Sequence, residues 1–122
     1  MLQLDYASSE SLYIQIKENI KKLILSGSMK EDEMLPSVRH LASTLAINVN
    51  TVIRAYKELE TEGYIYSVQG KGNFVAKNNT ALKSKSIEDF KEKLSKLVKE
   101  ADYININCDD FIELVKELYN HK

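Results

Sequence analysis

The sequence predicts a mainly helical fold with one small β-hairpin, on three observations. Leu35-Pro36-Ser37-Val38-Arg39-His40-Leu41-Ala42 and Asn48-Val49-Asn50-Thr51-Val52-Ile53-Arg54-Ala55-Tyr56 carry apolar residues at helical spacing on either side of a very short turn. Tyr64-Ile65-Tyr66-Ser67-Val68 and Asn73-Phe74-Val75-Ala76 are β-branched and aromatic, and Gln69-Gly70-Lys71-Gly72 between them has turn composition. Beyond residue 85 two more apolar stripes recur at three- and four-residue intervals. Two short helices followed by a basic hairpin have the anatomy of a winged helix-turn-helix, here carrying a two-helix C-terminal tail.

Residues 1–8 read as a lead-in. Ser9 or Ser11 can cap a first helix, whose inward positions are Leu12, Ile16, Ile20, Leu23 and Ile24 and whose end is marked by Gly27. Ser28 to Met34 is acidic and reads as a flexible linker. Pro36 stops helical structure upstream, and the Ser37 hydroxyl can accept from the first free N–H groups of a new helix. Val38, Leu41, Ala42 and Leu45 then define one buried stripe, so this helix runs from Val38 to about Leu45. Ala46 to Val49 forms the turn. Asn50 is the expected N-cap of the next helix, with Val52, Ile53, Ala55, Tyr56 and Leu59 on its apolar side and Gly63 left-handed past its end. At the hairpin tip, Gly70 and Gly72 remove side-chain bulk on either side of Lys71, letting the backbone approach a phosphate or minor groove while the lysine supplies charge.

Asn78 to Lys85 is polar enough to be a boundary, which divides the chain into a DNA-binding domain over 1–77, a linker over 78–85 and a helical tail over 86–122. Ser86 is expected to open the tail helix, with Asp89 as a shortened capping-box acid and Ile87, Phe90, Leu94, Leu97, Val98 and Ala101 as its stripe. Tyr103 to Cys108 interrupts the pattern. Asp109 or Asp110 caps a last helix bearing Phe111, Leu114, Val115 and Leu118, with Ile112 and Tyr119 widening its stripe. Isolated helices of roughly 10–18 residues are marginal in water. The economical solution is pairing with a second copy, so Phe90, Leu94, Leu97, Val98, Phe111, Leu114, Val115 and Leu118 are the expected contacts of a two-fold dimer.

Composition narrows the function. A chain of 122 residues buries one modest core. The single Cys108 allows no intramolecular disulfide, and its acidic neighbours do not activate a thiolate. Without a signal peptide, a long apolar run or zinc-ligand spacing, a soluble cytoplasmic protein with no metal, cofactor or membrane association is expected. The two histidines are far apart, and Gly70-Lys71-Gly72 lacks the spaced glycine and following hydroxyl of a phosphate-binding loop, so an enzyme is not expected. The net charge of −1 argues against a nucleic-acid binder until its distribution is examined. From Met34 to Lys57 the chain has Arg39, Arg54 and Lys57 and no acid; from Gly63 to Lys77 it has Lys71 and Lys77 and again no acid. Local potential governs docking more than the total does.

The DNA-facing candidates are Ser37, Arg39, Asn48, Asn50, Thr51, Arg54, Gln69, Gly70, Lys71 and Gly72. Each has a competing structural role. Asn50 is a helix cap first, Arg54 has Glu58 one turn on as an ion-pair partner, and Arg39 and Lys71 compete only with simple solvation or surface pairing. Tyr56 splits between core packing and a hydroxyl that reaches outward, with packing favoured. Tyr64, Tyr66 and Phe74 read as hairpin core.

These motifs resemble the GntR family of bacterial transcription regulators over about residues 9–77, and the short tail resembles that of its YtrA subfamily. The resemblance implies DNA contacts from Arg39, Thr51 and the Gly70-Lys71-Gly72 wing. Several branches of the family place arginines where Val49 and Ile53 stand here. Base reading therefore shifts to Asn48, Asn50 and Arg54, where an amide on adenine or a guanidinium on guanine each gives about 1–3 kcal/mol of discrimination. The expectation is a homodimeric repressor on an inverted-repeat DNA operator with half-sites about 34–36 Å apart, controlling a transporter operon as relatives often do. The tail is too short to enclose a cavity of about 300–1,000 Å³ within one subunit, which leaves an unidentified small-molecule effector a place at the dimer interface or between the tail and the DNA-binding domain. The alternative is a winged-helix protein-interaction module without specific DNA binding, distinguished by partner binding that survives charge reversal at Arg39, Arg54 and Lys71.

Overall fold

The computed structural model describes residues 2–8, 10–77 and 79–121. Its elements are α1 (Leu12–Leu25), α2 (Val38–Leu45), α3 (Val49–Thr61), β1 (Ile65–Val68), β2 (Gly72–Val75), α4 (Asn79–Tyr103) and α5 (Cys108–Asn120). This is the expected mainly helical fold with a small antiparallel hairpin. Two compact units divide between Lys83 and Ser84.

In the first unit, Ile16, Ile20 and Ile24 of α1 meet Leu41 and Ala42 of α2, Val52, Ala55, Tyr56 and Leu59 of α3, and Ile65 and Val75 of the hairpin in one core. Ile16, Ile24, Val52, Leu59 and Val75 are wholly shielded from solvent. Burying each contributes about 1.5–3 kcal/mol. Ser11 is the N-cap residue of α1; Ser9, the alternative cap, lies outside the described residues. Ser37 caps α2, its hydroxyl accepting from the His40 N–H at 3.1 Å.

The turn between α2 and α3 is shorter than the sequence suggested. Ala46 takes a left-handed conformation at φ 56°, and the N–H groups of Ala46 and Ile47 donate back to the carbonyls of Ser43 and Ala42. This pair of bonds is a Schellman closure, which usually employs glycine. It completes the turn by Ile47, so α3 starts at Val49, and Asn48 rather than Asn50 is its N-cap, accepting from the Asn50 N–H at 2.8 Å. Both asparagines are good caps in isolation. The earlier start seats Val49 against the core. Gly63 ends α3 as expected, at φ 85°, with the Tyr64 N–H bonded to the Leu59 carbonyl.

β1 and β2 pair antiparallel with Ile65 opposite Val75 and Val68 opposite Gly72. The Lys71 N–H donates to the Val68 carbonyl at 3.0 Å, and Gly70 supplies the positive φ of 77° that the third position of this turn requires. The acidic 28–34 segment is not the free linker expected from its composition. Asp32 and Leu35 donate to the carbonyls of Val75 and Asn73, Glu33 accepts from Val75, and Met34 forms a β-bridge with Phe74. These bonds satisfy the outer edge of β2, which a two-stranded hairpin would leave unpaired.

Helix α4 begins at Asn79, ahead of the expected Ser86, so residues 79–85 of the expected linker are helical rather than coil, although the division between units falls within that stretch. Asn78 lies outside the described residues. In the second unit α4 ends in another Schellman closure, with Asn105 at φ 64° and the Ile106 N–H on the Ala101 carbonyl at 2.8 Å. Asn107, not Asp109 or Asp110, caps α5, accepting from the Asp110 N–H at 2.9 Å. The two aspartates instead occupy the first turn, where negative charge suits the helix dipole.

Candidate nucleic-acid interface

Helix α3 has two unlike sides. Val52, Ala55, Tyr56 and Leu59 are buried, while Asn50, Arg54 and Lys57, spaced one helical turn apart, are exposed along the opposite face. The Tyr56 ring joins the core and its hydroxyl donates to the Pro36 carbonyl at 2.8 Å, which ties α3 to the entry of α2. Burial pushes the Tyr56 phenol well above its ordinary range, so it stays a neutral donor. Packing, favoured for Tyr56 from sequence, is its place here.

The other predicted residues lie as follows. Ser37 is engaged as the α2 cap and remains exposed. Arg39 is exposed on α2 and makes no ion pair with the described residues. Asn48 is engaged as the α3 cap, which frees the Asn50 side chain from that duty. Thr51 is half-buried in the third position of α3 rather than at its first residue, again because the helix starts earlier. Gln69, Gly70 and Lys71 are exposed at the hairpin tip and Gly72 is half-buried beside Met34. A Cβ on Gly70 would meet nothing within 4 Å, so that glycine serves the backbone conformation, not local crowding.

Arg54 is the most engaged candidate. Its guanidinium stacks over the Tyr13 ring of α1 at 3.7 Å from the centroid, donates from Nη2 to the Tyr13 hydroxyl at 3.0 Å, and pairs through Nε with Glu58 at 3.5 Å. Its side chain is nevertheless 61% exposed. The Glu58 pairing was visible in the sequence spacing; the Tyr13 contact spans 41 residues of chain and left no local signal. Lys57, which follows Arg54 on the exposed face, was missed as a candidate although the spacing from Asn50 and Arg54 marks it.

Behind this face an ion-pair lattice fixes α1 to α3. Lys17 bridges Glu58 at 2.9 Å and Glu62 at 3.0 Å, and Lys21 reaches Glu62 at 2.7 Å. The hydrogen bond to Glu58, then that to Glu62, raises the Lys17 ammonium above the ordinary lysine range. Conversely, the Lys17 hydrogen bond holds the Glu58 carboxyl below the usual carboxylate range. For Glu62, burial works upward, and the bonds from Lys21 and Lys17 outweigh it to leave the carboxyl lowered. Glu58 of α3 and Glu62 just past its end are thereby turned to α1 and held as paired carboxylates. Glu60, the remaining acid before the turn, accepts from the Ser67 N–H of the wing at 3.2 Å.

The wing is braced at its base. Tyr66 and Phe74 stack at 5.5 Å between centroids, and the Tyr66 hydroxyl donates to Asp32 at 2.8 Å. Asp32 also pairs with Lys77 at 3.5 Å, whereas Lys71 at the hairpin tip has no ion pair among the described residues.

The eight residues expected to form dimer contacts lie on α4 and α5. Phe90, Leu94, Leu97, Val98, Leu114, Val115 and Leu118 are exposed and Phe111 is half-buried. Val98, Ala101, Ile106 and Phe111 line an open groove of about 480 Å³ between the end of α4 and the start of α5. The volume falls within the range that the tail was expected not to enclose, and the space is an open groove rather than an enclosed cavity. Among the described residues no helix is long and apolar enough to cross a membrane, and no cluster of histidine, cysteine and acidic side chains has metal-binding geometry.

Residues 12–75 match the model of bacterial regulatory proteins of the gntR family. Over 119 residues the chain is 40% identical to the HTH-type transcriptional repressor YtrA of Bacillus subtilis, covering 97% of this chain and 92% of that protein. A GntR family transcriptional regulator from Listeria monocytogenes superposes with a TM-score of 0.80 at 30% identity, covering 92% of this chain and 98% of the other. The DNA-binding domain of AraR, solved in complex with operator ORR3, superposes with a TM-score of 0.51 at 33% identity over 62% of this chain and 95% of its own. The chain thus belongs to the GntR family, as a sequence-specific DNA-binding regulator and not an enzyme.

Proposed function

We propose that the protein is a homodimeric repressor of the YtrA type that binds an inverted-repeat operator, with α3 in the major groove and the hairpin beside it. The observation that carries this reading is the exposed set of Arg39, Asn50, Lys57 and Lys71, which have no ion-pair partners among the described residues, while the neighbouring acids Glu58 and Glu62 are paired with α1. The unsatisfied donors suit phosphate oxygens and base edges. Repression is supported by the likeness to a transcriptional repressor over nearly the whole chain. On the resemblance to the YtrA subfamily, the regulated genes include a transporter operon.

The tail supplies the dimer contacts. Phe90 is 64% exposed, Leu97 53% and Leu118 73%, a density of bare apolar surface that water does not favour and a second copy would cover. Any effector acts by binding one dimer geometry better than another.

A salt-titrated binding assay on DNA from upstream of the protein's own gene, with a scrambled duplex of equal length, tests the reading. It predicts preferential, salt-sensitive binding of two chains per site. Failure to bind either duplex at low salt would favour a protein-interaction module.

A further inference from the structure

Arg54 lies in a shallow cleft between the beginnings of α1 and α3, with Ser11, Tyr13, Asn50 and Thr51 around it. Glu58 pairs with Nε and the Tyr13 hydroxyl takes one N–H of Nη2, while Nη1 makes no hydrogen bond with the described residues. Three of the five N–H donors, two on Nη1 and one on Nη2, are therefore free, and the stack on Tyr13 holds them beside α1, where they suit the anionic oxygens of a phosphate. The polar groups around these donors are of the same kind. The Ser11 hydroxyl makes no capping bond, and the Thr51 hydroxyl and Asn50 amide have no partners among the described residues. Hydroxyls and amides of this sort, with arginine, are the usual donors to DNA phosphates.

We propose that Tyr13 is a positioning residue that holds Arg54 toward α1 as a clamp for one DNA backbone phosphate, rather than as a reader of a base. This rests on the DNA-docking reading above and revises the base-reading role expected for Arg54 from sequence. Stacking fixes the guanidinium before DNA arrives, which reduces the ordering cost of the contact. Glu58 does not cancel the charge, because Lys17 shares that carboxylate. Base discrimination then falls to other side chains of the exposed α3 face, Lys57 among them.

Binding of Arg54→Ala, Tyr13→Phe, Tyr13→Leu and the Arg54→Ala/Tyr13→Leu pair should be measured against salt, on upstream DNA and on the scrambled duplex. Arg54→Ala is expected to weaken both duplexes alike, by about tenfold, and to lower the slope of log affinity against log salt by about one unit. Tyr13→Leu should reproduce part of that loss but add nothing in the Arg54→Ala background, and Tyr13→Phe, which keeps the ring, should restore part of it. Thermal melts identify any variant that is merely unfolded, and Tyr13→Phe then carries the comparison alone. A loss confined to the upstream duplex would overturn the clamp in favour of base reading. A Tyr13 effect undiminished without Arg54 would overturn the positioning role. Wild-type binding that is indifferent to Arg54 would sink this inference while leaving the proposed function standing, whereas no wild-type binding to either duplex would sink both.

Discussion

At the scale of single residues, the least comfortable position in the helix-turn-helix is Ala46. Its φ of 56° places a Cβ where L-residues meet their own backbone, at a cost of roughly 1–2 kcal/mol. Ala46→Gly should therefore stabilise the protein by about 0.5–1 kcal/mol after the entropy of the unfolded glycine is subtracted. A higher denaturant midpoint at unchanged slope is the expected reading. The Ser37→Ala change acts in the opposite direction, removing the α2 cap at a cost of about 1 kcal/mol. Arg39→Ala and Lys71→Ala are expected to leave stability unchanged and to weaken DNA binding, since neither side chain has an ion pair among the described residues to lose; fluorescence anisotropy on a labelled duplex against a melting curve separates the two effects. Titration of the α1–α3 lattice has a defined sign. The Glu58 and Glu62 carboxyls are lowered from 4.5 in the folded chain, so their contribution is complete above that value and is lost as pH falls through it and below. The lysine partners are raised from 10.5, so their share persists up to that value and is lost only above it. Glu62→Gln should consequently flatten the acid limb of the stability curve while leaving the neutral region lower than wild type.

At the scale of elements, legibility followed periodicity. The α2 stripe, Val38 to Leu45, was readable to the residue because Pro36 and Ser37 punctuate its start. The α3 start was misplaced because Asn48 and Asn50 are equivalent caps locally, and the Schellman bonds that choose between them depend on Ala46 adopting a glycine-like conformation. The 28–34 segment gave no strand signal, since its bonds to β2 run through backbone groups, and the partners of its Asp32 side chain, Tyr66 and Lys77, are brought to it by the fold. In the tail, polar residues 79–85 resembled a linker, yet lysine, leucine and alanine there are good helix formers. The exposed apolar stripes of α4 and α5 carry the proposal of pairing through the tail. Leu97→Glu with Leu118→Glu should convert dimers to monomers in sedimentation velocity without lowering the helical signal of circular dichroism in proportion. Dimers persisting in this variant would place the interface elsewhere.

At the scale of the whole molecule, a net charge of −1 conceals a sorted surface. The sequence shows the sorting as acid-free windows; the structure adds that Glu58 and Glu62, which flank those windows, are turned onto Lys17 and Lys21. The candidate site was legible where it sits on consecutive residues, as at the hairpin tip. It was illegible where it depends on a partner brought by the fold, as with Tyr13 beneath Arg54. The central claim is that two copies of this arrangement engage one operator. Native mass spectrometry of the protein with upstream duplex and with its scrambled counterpart tests it most directly. The account predicts a complex of two chains per upstream duplex, little occupancy of the scrambled one, and loss of the complex as salt rises; single chains bound equally to both duplexes would contradict it.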